Sequence, residues 1–285
     1  MFIVTGATGH TGSVVAETLL AAGKEVRAVV RNAGKAERLQ SLGAEVFVGD
    51  LADQTALARA VRGAEGVFLL SPPDIAAKDF IAERKRLTQA QVDTLAAERV
   101  PHVVLLSSVG AQLPSGTGPV VSLHHAEQQL RAAGIPSTFV RAGYFLENWG
   151  EVAHAVKADG VLPSFIAANR VVPSVSTRDI GKAAAQALLD GPRGVRTIEL
   201  SGPRDVTPND VAAIFSSVLG RTINVVEAPL EAVVPTFTSF GISENMSELY
   251  REMYEAIAAD RLVPEASERQ RGTTPVEETL RALLA

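Results

Sequence analysis

The first twelve residues constrain this chain more than any other stretch. Met1-Phe2-Ile3-Val4-Thr5 reads as a short buried strand, and Gly6-Ala7-Thr8-Gly9-His10-Thr11-Gly12 follows it directly and opens a helical pattern. A strand that passes through a glycine-rich turn into a helix is the phosphate-binding start of a dinucleotide site. Gly6 permits the tight turn, Gly9 lets backbone approach a pyrophosphate, and Gly12 allows the helix to pack closely on the strand. The N–H groups of the helix start, at the positive end of its dipole, then face the phosphates. Gly6, Thr8, Gly9, His10, Thr11 and Gly12 are therefore cofactor-binding candidates.

The pattern continues as alternation. Apolar runs at Phe2–Thr5, Glu25–Val30, Glu45–Val48, Gly66–Leu70, His102–Ser107 and Ser137–Val140 read as strands. Helical intervals lie between them at Thr11–Ala22, Gln54–Arg62, Lys78–Arg99 and Ser122–Ala133, with Gly23, Gly63 and Gly134 as helix stops. Such alternation predicts an α/β chain with a doubly wound parallel sheet. After Arg141 the rhythm loosens around Gly160, Pro163 and Pro173. We expect a dinucleotide-binding domain over 1–150, return segments near 175–202 (helix Asp179–Leu189, strand Thr197–Leu200), and a smaller α+β lobe over 151–285. Thr207-Pro208 predicts a capped helix start, and Thr274-Pro275-Val276-Glu277 a second one with Glu277 closing a capping box.

Composition removes other classes. A chain of 285 residues, 46% hydrophobic and 21% charged, buries a sizeable core. With 27 Lys+Arg against 32 Asp+Glu and no long basic run, it carries no footprint for nucleic acid or an anionic membrane. The expected partner is a small-molecule acceptor, with a homodimer left open. The absence of cysteine excludes disulfides, thiolate catalysis and sulfur-based metal sites. His124 and Glu127 share a helix face, but two candidate ligands without a third make no metal site. There is no signal-peptide pattern and no apolar run near the roughly 18 residues of a membrane span, so a cytoplasmic location is expected.

The G-x-x-G-x-x-G spacing resembles the short-chain dehydrogenase/reductase superfamily, and Gly-Ala-Thr-Gly at the chain start resembles its atypical NmrA-like branch. Val48-Gly49-Asp50-Leu51-Ala52-Asp53, the pair Ser107-Ser108, and Phe139-Val140-Arg141-Ala142-Gly143-Tyr144-Phe145-Leu146-Glu147-Asn148 resemble that family's motifs in their usual order. The resemblance covers residues 1 to about 230 and implies a Rossmann-type fold. Within the branch it points to NADPH-dependent quinone, azo-dye and triphenylmethane-dye reductases, although the same fold also serves as a redox-sensing regulator.

An NAD-preferring site carries a carboxylate at the end of the second strand. Here that strand ends Val29-Val30-Arg31-Asn32, and Arg31 would grip a 2′-phosphate that a carboxylate repels, so NADP(H) is the expected cofactor. Lys35 and Arg38 read as solvated surface. Asp50 and Leu51 resemble the family's adenine-contacting pair, and Leu70, Ser71 and Ser107 complete the cofactor set.

The usual Tyr-x-x-x-Lys pair is missing. With Glu127 taken as the family glutamate, the lysine position falls on Leu123 and the tyrosine position on Pro119; the tyrosines, at 144, 250 and 254, have no lysine four residues on. Carbonyl reduction through that proton relay is disfavoured, whereas hydride transfer to an electron-poor conjugated acceptor needs little acid. Ser108, ending a strand at the carboxyl edge, and His124 are the candidate catalytic residues; Tyr144 and Asn148 are the candidate substrate-binding residues. Phe145 and Trp149, one turn apart, read as packing between lobes.

Overall fold

The computed structural model describes residues 1–70 and 73–285. Its strands are β1 Phe2–Thr5, β2 Val26–Val30, β3 Glu45–Val48, β4 Gly66–Leu69, β5 Val103–Ser108, β6 Ser137–Ala142, β7 Tyr144–Phe145, β8 Val161–Ser164, β9 Ser174–Val175, β10 Val195–Ser201, β11 Asn224–Glu227 and β12 Arg269–Arg271. The helices are α1 His10–Ala21, α2 Glu37–Ser41, α3 Gln54–Val61, α4 Phe80–Ala97, α5 Val121–Ala132, α6 Ala153–Asp159, α7 Thr177–Asp190, α8 Pro208–Leu219, α9 Val233–Ser239, α10 Glu244–Ala258 and α11 Val276–Ala282.

Among the described residues, eight strands form one sheet in the order β12-β10-β6-β5-β4-β1-β2-β3. Every pairing in it is parallel. This is the doubly wound architecture expected from the alternation. The order reverses between β1 and β4, and ligands of such sheets bind in the crevice beyond the carboxyl ends there. Thr5 ties the two strands together at that point: its Oγ1 donates to the Phe68 carbonyl (3.0 Å) and accepts from the Leu70 N–H (2.9 Å).

Both faces of the sheet are covered, which is why its strands read as continuous apolar runs rather than alternating ones. One face packs Val4, Ala28, Phe68 and Val104 against Val15 and Leu19 of α1 and Ile180, Ala184 and Leu188 of α7. The other packs Ile3, Val67, Leu105 and Phe139 against Leu57 of α3, Val92 and Leu95 of α4 and Leu130 of α5. A third cluster, with Trp149, Leu162, Phe215 and Leu280, lies among α6, α8, β8, β11 and α11.

The segment near 175–202 returns to the sheet as α7 and β10. A second return, β12, was not foreseen; Arg269-Gln270-Arg271 has no apolar residue to announce a strand, and it pairs only at the sheet's edge. Strand β6 runs two residues past Val140 because Arg141 and Ala142 pair with Ser107 and Ser108. Thr207 caps α8 in a full capping box with Asp210. The start of α11 corrects the sequence reading: Pro275 takes the cap position without a side-chain bond. Thr274 is instead buried, its Oγ1 donating to Asp179 at 2.8 Å. A buried carboxylate outcompetes a local cap because its desolvation is relieved only by direct donors.

Candidate active site

The glycine turn forms the floor of the site. Gly6 adopts φ +61°, which a side chain would disfavour, and a Cβ there would stand 2.7 Å from Leu70 Cδ2. A Cβ on Gly12 would lie 2.2 Å from the Gly6 carbonyl oxygen, so this turn and α1 are in direct backbone contact. Gly9 is different. It is exposed, and a Cβ there would meet only the Gly6 oxygen, at 3.3 Å. Gly9 is also the cap residue of α1, with no side chain bonded to the helix start and no acidic residue in the first turn. The first-turn N–H groups, which have no partner within a helix, are thus left for a ligand.

Thr8, Gly9 and His10 are exposed on this turn, whereas Thr11 and Gly12 are buried. Thr11 and Gly12 therefore offer backbone and not side chain. Arg31 is exposed just beyond β2, on the same sheet edge. Of its basic neighbours, Arg38 is paired with Glu17 at 2.8 Å. Asp50 accepts from the Ala52 N–H in a local turn (2.9 Å), and Leu51 packs partly buried on the core beneath. Ser71 lies outside the described residues.

Next to this floor a cavity of about 330 Å³ opens beyond β4, β5 and β6. Leu70, which stands against Gly6, also lines the cavity, so the glycine turn and the cavity adjoin at that residue. Its walls come from the sheet edge (Leu106, Ser108, Ala142, Gly143), from Pro119 and Leu123 before and on α5, and from Tyr144 and Asn148. The far wall is α10 with the loop after it: Tyr250, Met253, Ile257, Leu262 and Val263. The sequence reading missed that wall. Its signal, the apolar face of an amphipathic helix, does not reveal what the helix packs against.

The serine and histidine candidates each have a partner within the protein. Ser107 is buried and donates to Glu127 Oε1 at 2.7 Å, so its hydroxyl points into protein and not toward a cofactor. Ser108 lines the cavity, but its hydroxyl donates to the Val109 carbonyl at 3.0 Å. His124 is held by the Ala111 carbonyl at 2.9 Å through Nδ1 and is not among the residues lining the cavity. A histidine at that point of α5 serves as an anchor for the 110–120 loop. Burial, then the nearby Lys85 and His124, lowers His125.

Under the cavity floor lies a charged network. Arg141 sits between Glu127 (2.7 Å) and Glu199 (3.7 Å), with both carboxylates and the guanidinium buried. Glu199 also accepts from the Ala266 N–H at 2.7 Å, tying the C-terminal segment to the sheet.

The polar end of the cavity is aromatic. All three tyrosines of the chain meet there: Tyr144 and Tyr250 line it and Tyr254 stands behind them. Burial, with the charge of Glu151 behind it, pushes Tyr144 up to about 12, and hydrogen bonds with Asn148 and Tyr254 offset this only in part. Tyr250 is raised by burial and by Glu151. Tyr254 is raised by burial first, then by Tyr144 and Glu151. These hydroxyls keep their protons at ordinary pH and act as neutral donors. Glu147 fixes the turn that carries Asn148, accepting from the Thr177 N–H and hydroxyl at the start of α7 (2.9 and 2.7 Å). Phe145 packs on the main core while also facing the cavity, and Trp149 is buried in the third cluster.

The profile of the NmrA-like family matches residues 1–280. The chain belongs to the NmrA-like family. The (4-alkanoyl-5-oxo-2,5-dihydrofuran-3-yl)methyl phosphate reductase of Streptomyces griseus is 33% identical over 81% of this NmrA-like chain and 78% of its own length. The NAD(P)H azoreductase of Xenophilus azovorans is 28% identical over 92% and 89%. The NADPH-dependent quinone oxidoreductase of Escherichia coli, complexed with NADPH, superposes over the whole of both chains with a TM-score of 0.84 at 24% identity, so the fold is shared. Among the described residues, no helix is long and apolar enough to cross a membrane.

Proposed function

We propose that this NmrA-like protein is an NADPH-dependent reductase that delivers hydride to a quinone-like or other electron-poor conjugated acceptor. The observation that carries the reading is an uncapped, side-chain-free helix start at Gly9 on a turn that adjoins, at Leu70, a largely apolar, aromatic-walled cavity. The relatives named as reductases support it, and an acceptor cavity of this size favours turnover over a purely sensing role. NADPH would supply hydride, and its overall balance with a quinone is NADPH + H⁺ + quinone giving NADP⁺ and hydroquinone.

The chain's own residues do the holding. The first-turn N–H groups of α1 take the pyrophosphate, and Arg31 takes the 2′-phosphate. Leu70, Ala142 and Gly143 line the cavity beside the turn and would flank the reacting ring. Tyr144, neutral and protonated, offers a hydrogen bond to an acceptor oxygen. Pro119 and Leu123, where a Tyr/Lys pair would stand, present only apolar surface to the cavity. The protein thus positions and desolvates the acceptor, and leaves protonation of the product to a neutral hydroxyl or to water. The phosphate group named for the Streptomyces relative's substrate does not carry over, since no basic side chain lines this cavity among the described residues.

Steady-state oxidation of NADPH with a panel of acceptors tests this. Electron-poor quinones should turn over, and aliphatic ketones should be slower by roughly 10²- to 10⁴-fold, the usual contribution of a positioned acid. Comparable ketone turnover would show that Tyr144 or another group acts as a positioned acid. His124→Ala and Ser108→Ala should each keep most quinone activity, because neither side chain is free to act on the acceptor.

Cofactor choice gives an independent check. NADPH should bind at least about tenfold more tightly than NADH, as expected for one charge-assisted contact of roughly 1.5 kcal/mol or more. Arg31→Asp should erase or invert that ratio in fluorescence titrations. Equal affinity for both cofactors in the unsubstituted protein would remove Arg31 from the site.

A further inference from the structure

The far wall of the cavity is joined to the cofactor side by two helix starts that cap each other. Ser243 is the cap residue of α10, where its Oγ accepts from the Met246 N–H at 3.2 Å. The same hydroxyl donates to the Ala77 carbonyl at 2.7 Å, and the Ser243 N–H donates to the Ile75 carbonyl at 2.9 Å. In the other direction, Asn245 Oδ1 accepts at 2.9 Å from the N–H of Phe80, the first residue of α4. Ala77, Phe80 and Met246 form a small apolar cluster at this joint, with Leu249 and Tyr250 packed against it.

Each side of the joint leads to one ligand. The segment that carries Ile75, Ala77 and Phe80 follows β4 and Leu70, and Leu70 stands against Gly6 on the floor of the site. Helix α10 carries Tyr250, Met253 and Ile257, the wall that an acceptor meets. Close-packed elements tied by hydrogen bonds shift together, so whatever fixes the segment after β4 also fixes α10. Ser243 is not among the residues lining the cavity, and its part is exerted through that helix. We infer that Ser243 is a positioning residue that keeps the acceptor wall in register with the cofactor floor, so that NADP(H) and the acceptor tighten each other's binding through the joint. The inference rests on the reductase reading, which supplies the two ligands. Linkage makes the effect reciprocal: the factor by which NADP⁺ raises acceptor affinity equals the factor by which the acceptor raises NADP⁺ affinity.

Calorimetric titration with a plain naphthoquinone and the oxidised cofactor NADP⁺ measures this without turnover. In the unsubstituted protein the naphthoquinone should bind at least about fivefold more tightly with saturating NADP⁺ than without it, the low end of the usual range for coupled sites. Ser243→Asp keeps an acceptor for the Met246 N–H but has no proton for the Ala77 carbonyl. It should bring the ratio below about twofold, with affinity for NADP⁺ alone unchanged. Asn245→Ala, which frees the Phe80 N–H instead, should lower the ratio likewise, whereas Ser243→Thr keeps both hydroxyl bonds and should retain it. No coupling in the unsubstituted protein would overturn the inference. A ratio that survives Ser243→Asp would mean that the ligands couple by touching each other, and a ratio lost in Ser243→Thr would mean that the hydroxyl bonds are not what matters; either would overturn the role given to Ser243. Joint-dependent coupling without NADPH oxidation by any quinone would end the reductase reading while leaving the coupling standing.

Discussion

Gly9→Val is expected to abolish NADPH binding, with affinity reduced at least about a hundredfold, while the protein stays folded. The backbone at Gly9, φ −88° and ψ 170°, is one that a β-branched residue adopts readily. A Cβ there meets only the Gly6 oxygen at 3.3 Å, so the substitution disturbs no packed side chain. The valine methyls would instead stand over the N–H groups of the first turn of α1, in the space a pyrophosphate needs. The thermal shift produced by NADPH should vanish while the melting temperature without ligand changes little. A full ligand-induced shift in Gly9→Val would place the phosphate site elsewhere. Gly12 is unsuitable for the same test, because a Cβ 2.2 Å from the Gly6 oxygen would force the turn and α1 apart and confuse binding with folding.

The second large effect concerns stability. Arg141→Met should destabilise the protein by about 3–5 kcal/mol, since it leaves the Glu199 carboxylate buried without its cation and Glu127 with only the more distant Arg131 at 3.7 Å. Both glutamates are only 1% exposed. Glu127 would keep its bond from Ser107 and the half-exposed Arg131, whereas Glu199 would keep only the Ala266 N–H, which does not neutralise its charge. Equilibrium unfolding in urea measures the loss, and a fall in Tm on the order of 10 °C should accompany it. Adding Glu199→Gln to Arg141→Met should recover part of the stability, because the carboxylate left without a cation is removed. A loss below about 1 kcal/mol for Arg141→Met would mean that solvent reaches the network, contrary to its burial.

These two expectations draw on different kinds of information. The phosphate turn was legible in the sequence because it is local: Phe2–Thr5, Gly6, Gly9 and Gly12 lie within a dozen residues, and the strand-turn-helix pattern dictates their geometry. The alternation of apolar runs and helical periods likewise predicted the parallel sheet, and the glycine stops after α1, α3 and α5 each take positive φ. The family motif from Phe139 to Asn148 located Tyr144 and Asn148 at the cavity for a similar reason, since a strand's end on a parallel sheet has only one edge to open onto.

The rest depended on partners distant in the chain. Ser107 is a cofactor candidate in the sequence, and only the fold shows that its hydroxyl is bonded to Glu127, twenty residues away. His124 is a proton-donor candidate in the sequence, and only the fold shows the Ala111 carbonyl against its Nδ1. Thr274 read as a helix cap until Asp179, ninety-five residues earlier, was found beside it. In each case a polar side chain is satisfied by whichever group burial brings within reach, and a sequence does not state that distance.

The sequence by itself determined where phosphates can sit, because free N–H groups at a helix start and the absence of a Cβ are properties of a few consecutive residues. Only the tertiary structure decided what the cavity will accept. Its far wall comes from α10 and the loop to Val263, and its tyrosines from positions 144 and 250. Long-range packing alone sets which faces of those elements meet, and the electrostatics of a cavity are the sum over the groups so assembled.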